Sequence, residues 1–310
     1  MKIRKKIAEH LQEITNSQII DNIILLQKDG YPIQANGVWV SKLEVFELCN
    51  AVSLLYYFSH RILESSTRVS IKSDGRKFII TSLSYILQDF DLLDKNKKEL
   101  DKGEKNRYLM VFTLKDKNLP LREVFRNVKD EVTKIWNLLR TTDNRIKNIQ
   151  PRLTDDQIQE VLKGFDIKNN SNQVEQINKA RLTRKMDDLY NLITYYPNFK
   201  QISVFYKGKL VYSKLDKERT SQNNLKDSEN SEKYLRIFQN ALKVSWILKR
   251  VNPEIIILDS ENYYGLISGF KESINFLKIS KTNGRIAIIK DIFPVITKKS
   301  EKILAANNLL

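Results

Sequence analysis

One cysteine, Cys49, in 310 residues excludes an intramolecular disulfide, and its place inside an apolar stretch reads as a small buried hydrophobe. Histidine is nearly as scarce: His10 and His60 lie far apart, so the thiol has no evident base and a structural zinc site is excluded for practical purposes. Glycine is thin as well. Gly265 and Gly269 are not followed by the lysine and hydroxyl that grip phosphate and magnesium in a nucleotide-binding loop. No apolar run reaches the length of a membrane span, and the basic opening KIRKK leads into amphipathic sequence instead of a signal-peptide core. The expected location is therefore cytoplasmic, with the periphery of a membrane as the other reading. Carboxylates such as Asp89 with Asp91, or Asp155 with Asp156, stand in polar or capping positions, and His60 near a helix end suits an interaction with the helix dipole. The expectation is a non-enzymatic protein with no catalytic residue, no cofactor and no metal.

What the chain does have is positive charge, 53 Lys plus Arg against 37 Asp plus Glu, or +16. Such a balance allows nucleic acid, an anionic membrane or an acidic protein face as partner. The basic residues are spread along a chain rich in Lys, Ile and Asn, which reads as diffuse solvating charge. An RNP-like stacking pattern, a helix-turn-helix and a zinc finger are all missing, so nucleic acid is the competing expectation and not the first.

The stretch around which the rest is organised is Val45 to Phe58, VFELCNAVSLLYYF. As a helix it carries a narrow polar stripe, Glu47, Asn50 and Ser53, and apolar surface elsewhere, so it needs cover on two sides. Ser41 with Glu44 makes a capping box at its start. A second such helix is expected over residues 233 to 251, stopped by Pro253. The two are expected to pair, within one chain or between two chains, with Leu48, Val52 and Leu55 facing Phe238, Leu242 and Trp246. A charge on that side is then expected to part the halves without unfolding either.

Around each helix the same order of elements recurs. Before the first lie an amphipathic helix at 2 to 16 (Ile3, Ile7, Leu11, Ile14) and a hairpin turning at Asp29-Gly30-Tyr31-Pro32. After it come TRVSIKS, KFIITSLSYIL and RYLMVFTLK as strands, a charged connection between the last two, and a helix at 120 to 142 with Val124, Phe125, Val128 and Trp136 on one face. Residues 143 to 173 read as a helical linker, with Thr154 and Gln157 capping a short helix. The second half repeats the pattern: a helix at 174 to 192, FKQISVFYKGK and LVYSKL as a hairpin, a polar loop, the apolar helix, EIIILDSE and YYGLISGFK as strands, GRIAIIKDI as a last strand, and a weak helix at 295 to 306 after Pro294.

This order, with the opening IILLQKDGYPIQANG, resembles the roadblock domain of the roadblock/dynein-light-chain family. Asp29-Gly30 followed by Pro32-Ile33 is similar to the family's D-G-x-P-I hairpin. The second half departs from it, with Lys207-Gly208-Lys209-Leu210 at that turn. The resemblance implies an α+β fold of two roadblock-like (profilin-like) domains, each a five-stranded antiparallel sheet flanked by helices. The first would span residues 1 to 142 and the divergent second 174 to 310. It further implies modules that dimerise by joining sheets edge to edge and pairing central helices. As partners it implies a Ras-like small GTPase, with other roadblock-type or longin-type domains. A longin-like adaptor or tether on an anionic membrane is a further reading.

Overall fold

The computed structural model describes residues 2–38, 41–63, 66–88, 107–146, 176–195, 198–216, 224–281 and 286–306. Helix α2, Lys42–Ile62, begins where the capping box places it: Glu44 N donates to Ser41 Oγ at 3.2 Å, and Ser41 N donates to Glu44 Oε2 at 2.9 Å. Two of the orphan amides of the helix start are thereby satisfied. Ser41→Ala is expected to cost about 1 kcal/mol, read as a lowered urea midpoint at unchanged m-value.

Before α2 come α1 (Lys2–Asn16) and the hairpin β1 (Ile20–Gln27) and β2 (Pro32–Asn36). After it follow β3 (Ser66–Ser73), β4 (Arg76–Ser82), the short α3 (Leu83–Gln88), β5 (Tyr108–Leu114) and α4 (Leu121–Ile146). The second half runs α5 (Gln176–Thr194), β6 (Phe199–Tyr206), β7 (Lys209–Leu215), α6 (Asn224–Lys249), β8 (Pro253–Ser260), β9 (Tyr263–Phe270), β10 (Ser273–Ser280) and α7 (Ile286–Ala306).

Among the described residues the strands form one antiparallel sheet of ten, in the order β2-β1-β5-β4-β3-β8-β9-β10-β6-β7. The sequence expected two five-stranded sheets; the structure has one, because β3 and β8 pair antiparallel from Ser66↔Ser260 to Ser73↔Pro253. Read outward from that seam, the first half runs β3-β4-β5-β1-β2 and the second β8-β9-β10-β6-β7, the same order of corresponding strands. The order of strands thus repeats about the seam.

Alternation along the strands sends side chains to two faces. On the front, Val69 and Ile71 of β3 and Ile256 and Leu258 of β8 join one core with Leu48, Val52, Leu55 and Tyr56 of α2 and Ile237, Ala241 and Val244 of α6. That core crosses the seam without a break. On the back there are two cores. One packs α1, α3 and α4 on the first half through Leu11, Leu83, Phe125 and Val128; the other packs α5 and α7 on the second through Met186, Tyr190 and Phe293.

Four local expectations are corrected. KFIITSLSYIL ends as a strand at Ser82, whose Oγ accepts from Tyr85 N at 3.1 Å and so opens α3. α6 starts at Asn224, within the stretch expected to be a polar loop. The last strand is SINFLKIS, whereas GRIAIIKDI contributes to α7. α7 runs through Pro294, which was expected to precede the helix. There Ile289, Phe293 and Ile296 are buried while Ile288 and Val295 are exposed, a helical period whose burial outweighs the lost hydrogen bond. The connection after α3, the Asp89/Asp91 and Asp155/Asp156 pairs and the helix at Thr154–Gln157 lie outside the described residues.

Candidate functional site

The central helices lie antiparallel over the seam. Glu44 of α2 meets Arg250 just beyond α6 at 3.1 Å, Glu47 meets Lys243 at 3.7 Å, and Phe58 at the far end carries the Arg236 guanidinium 5.8 Å from its ring centre. Glu44 is held below the usual carboxylate range, first by the Ser41 amide, then by the Ser41 hydroxyl and Arg250. The ion pairs are exposed and salt-screened, so they orient the helices more than they stabilise them.

Leu48, Val52 and Leu55 are fully buried in the core shared with α6. Their expected counterparts are placed differently. Phe238 is partly buried and lies over β9, where a Cβ at Gly269 would come 2.4 Å from its Cζ, so glycine there makes room for the ring. Leu242 and Trp246 face outward, 37% and 49% exposed. The α6 side chains in the shared core are instead Ile237, Ala241, Val244 and Ile247.

Outward-facing apolar side chains are not confined to α6. On α2, Leu43, Phe46 and Leu54 are exposed too, beside the polar stripe of Glu47 and Asn50. Tyr31, from the β1–β2 turn, sets its ring against Phe46 with centroids 6.3 Å apart. Arg250 lies 5.9 Å from the Trp246 ring centre while also holding Glu44. The outer surface of the helix pair is therefore apolar and aromatic, with charged pairs between its members. Large apolar side chains of this kind, ringed by polar groups, mark a surface made to be covered. The sequence named Leu242 and Trp246, but as residues turned toward α2, and did not name Leu43, Phe46 and Leu54; the signal for them was the narrowness of the polar stripe.

The two halves differ at one end of this surface. The β1–β2 turn is seated on α2: Ser53 Oγ donates to the Lys28 carbonyl, and a Cβ at Gly30 would come 2.7 Å from Asn50 Oδ1. At the matching β6–β7 turn a Cβ on Gly208 would meet nothing within 4 Å, and a groove of about 270 Å³ opens between that turn and α6, floored by Phe205, Phe238 and Ile274.

The residues weighed for chemistry are placed as follows. Burial pushes the Cys49 thiol up to about 12, which keeps it protonated and unreactive at neutral pH. The His60 ring lies tilted against Tyr56 within α2, centroids 4.6 Å apart, and burial lowers its pKa to about 4. Among the described residues no group of His, Cys, Asp and Glu is arranged to hold a metal ion, and no helix is long and apolar enough to cross a membrane. No protein-family model matches the chain, and no curated protein matches it.

Proposed function

We propose that this chain is a non-enzymatic scaffold that binds a Ras-like small GTPase through paired roadblock-like halves. The carrying observation is the exposed apolar row on the outside of the helix pair, Leu43, Phe46, Leu54, Leu242 and Trp246. Three features support the reading. The DGYPI hairpin resembles the family's, the strand order repeats about the seam, and the central helices pair as the family's do. In this arrangement a single chain supplies both members of the pair. Its outer face is then always assembled and carries different residues on its two sides, so a partner meets it in one orientation.

The test is binding of purified Ras-like GTPases, loaded with GDP or a non-hydrolysable GTP analogue, to immobilised protein. Phe46→Lys and Trp246→Lys are expected to weaken the bound GTPase at least tenfold each, about 1.4 kcal/mol or more, with melting temperature unchanged. Both side chains are half exposed, so the folded core does not depend on them. GTPase binding that both variants retain would remove the helix face from the mechanism. Salt-sensitive retention on nucleic acid or flotation with anionic liposomes, in the absence of any GTPase binding, would replace the reading with one of its competitors.

A further inference from the structure

On the back of the sheet one apolar core reaches β4 through Ile79 and the other reaches β8 through Ile255 and Ile257, and β3 between them carries charge. The residues of β3 that alternate with Val69 and Ile71 are Arg68, Ser70 and Lys72. Arg68 Nη2 and Lys281 Nζ both hold Asp259 of β8, the lysine at 2.5 Å. Lys281 and Lys290, the latter on α7, stand 4.7 Å and 5.0 Å from the Tyr264 ring centre. The β3–β4 register sets Lys72 directly opposite Lys77, a like-charge pair that costs stability. Lys77 is only 8% exposed, and its Nζ donates to the Leu119 carbonyl at 3.3 Å.

Asp259 thus serves Arg68 and Lys281 directly and draws on Lys290, while Lys72, Lys77, Lys290 and Arg68 stand close enough to repel one another. Among the described residues none of Lys72, Lys77 and Lys290 has a carboxylate at ion-pair distance; Asp116 and Asp291 act on Lys77 and Lys290 respectively from farther away. Arg68 Nε is buried with no hydrogen-bond partner. Holding a buried lysine, Lys77, among half-buried cations is unfavourable unless an anion joins them. Donors that come from two strands and a helix, one of them a guanidinium, match the several oxygens of a phosphate better than a single carboxylate.

We propose that this seam binds a compact, multivalent phosphate-bearing anion, held by Arg68, Lys72, Lys77 and Lys290. The site lies on the face opposite the helix pair and is independent of the GTPase reading. The phosphate can come from a soluble polyphosphate or from a lipid headgroup, and the two sources are separable.

The probe for the first is sodium tripolyphosphate, titrated calorimetrically into the intact protein at pH 7 and fixed ionic strength. The probe for the second is co-sedimentation with phosphatidylcholine vesicles containing phosphatidylinositol 4-phosphate. Wild-type protein is expected to bind at least one of them. Lys72→Gln and Lys290→Gln are each expected to weaken that binding about tenfold, while Lys243→Gln on the front face leaves it unchanged. Burial first, then Lys72, Lys290 and Arg68, lowers the Lys77 pKa to about 8 against the pull of Asp116. The pH dependence of tripolyphosphate binding across this range is therefore expected to differ between wild type and Lys77→Met, the variant lacking the proton uptake that Lys77 contributes, a comparison that cancels the probe's own titration. Arg68 is left intact in these variants because its pairing with Asp259 supports the fold. Binding that Lys72→Gln and Lys290→Gln weaken no more than Lys243→Gln would assign the effect to diffuse surface charge and overturn the site. Absence of binding to both probes by correctly folded wild-type protein would overturn it as well.

Discussion

Val52→Glu is expected to unfold the whole chain instead of parting its halves. Val52 is fully buried in a core to which α2, α6, β3 and β8 all contribute, so a carboxylate there has neither water nor a cation beside it. An uncompensated buried charge costs on the order of 3–5 kcal/mol, a large part of the 5–15 kcal/mol that ordinarily holds a domain together. The sequence alone suggested that such a charge would separate two self-sufficient units. The structure argues otherwise, because the front core is continuous across the seam and β3 forms ladder bonds with β8 as well as with β4. Thermal denaturation followed by circular dichroism should show a much lowered or absent transition in Val52→Glu and Leu55→Lys. Asn50→Lys, on the exposed stripe, should melt within a degree or two of wild type. Scattering that shows an expanded particle with wild-type helicity in the first two variants would mean that the halves stand alone, and would sink the single-core account.

The parts of the fold that were legible in the sequence are those specified by neighbours along the chain. Ser41 and Glu44 are three residues apart, and their reciprocal hydrogen bonds follow from that spacing. Val124, Phe125, Val128 and Trp136 recur at helical period and are buried together. Short apolar runs were harder, since a run of six or so apolar residues suits a buried strand and a buried helix equally. GRIAIIKDI was read as the former, but from Ile286 onward it belongs to the latter, while SINFLKIS supplied the strand. Leu242 and Trp246 were correctly picked out as apolar positions on a helix, but which way they face depends on how α6 sits over β9, and Gly269 under the Phe238 ring is part of what sets that. Least legible was the charged seam. Arg68, Lys72 and Lys77 are some two hundred residues from Lys281 and Lys290, and in sequence they belong to an even scatter of basic residues. They meet only because β3 pairs with β8 and α7 lies across β9.

That meeting sets the second large effect, an unusual dependence of stability on pH. Burial first, then Lys72, Lys290 and Arg68, lowers the pKa of Lys77 from its ordinary 10.5 to about 8. The unfolded chain therefore keeps this proton up to about pH 10.5 and the folded chain releases it near 8, so stability rises with pH across that window. Below pH 8 the folded state carries the full penalty, up to about 3 kcal/mol at roughly 1.4 kcal/mol per tenfold change in proton affinity. His60 adds an earlier step of the same sign: burial, with Lys28 adding, lowers it from 6.5 to about 4, so stability is lost as pH falls from 6.5 towards 4. Buried Tyr56, Tyr190 and Tyr212 act oppositely above pH 10, because their phenols ionise in the unfolded chain first. Urea unfolding across pH is thus expected to show a rise between 4 and 6.5, a second rise from 8, and a decline at the alkaline end. Lys77→Met should be more stable than wild type at pH 7 by about 1–3 kcal/mol and should lack the second rise, since the thioether fills the same space without a charge to desolvate. The same variant should bind tripolyphosphate more weakly, because it lacks a cation that the seam would use. Gain in stability together with loss of anion binding is what a residue kept for its ligand predicts. A Lys77→Met protein no more stable than wild type at pH 7, or one that keeps the rise above pH 8, would show that the lysine is accommodated at no cost and would remove the energetic argument for an anion at the seam.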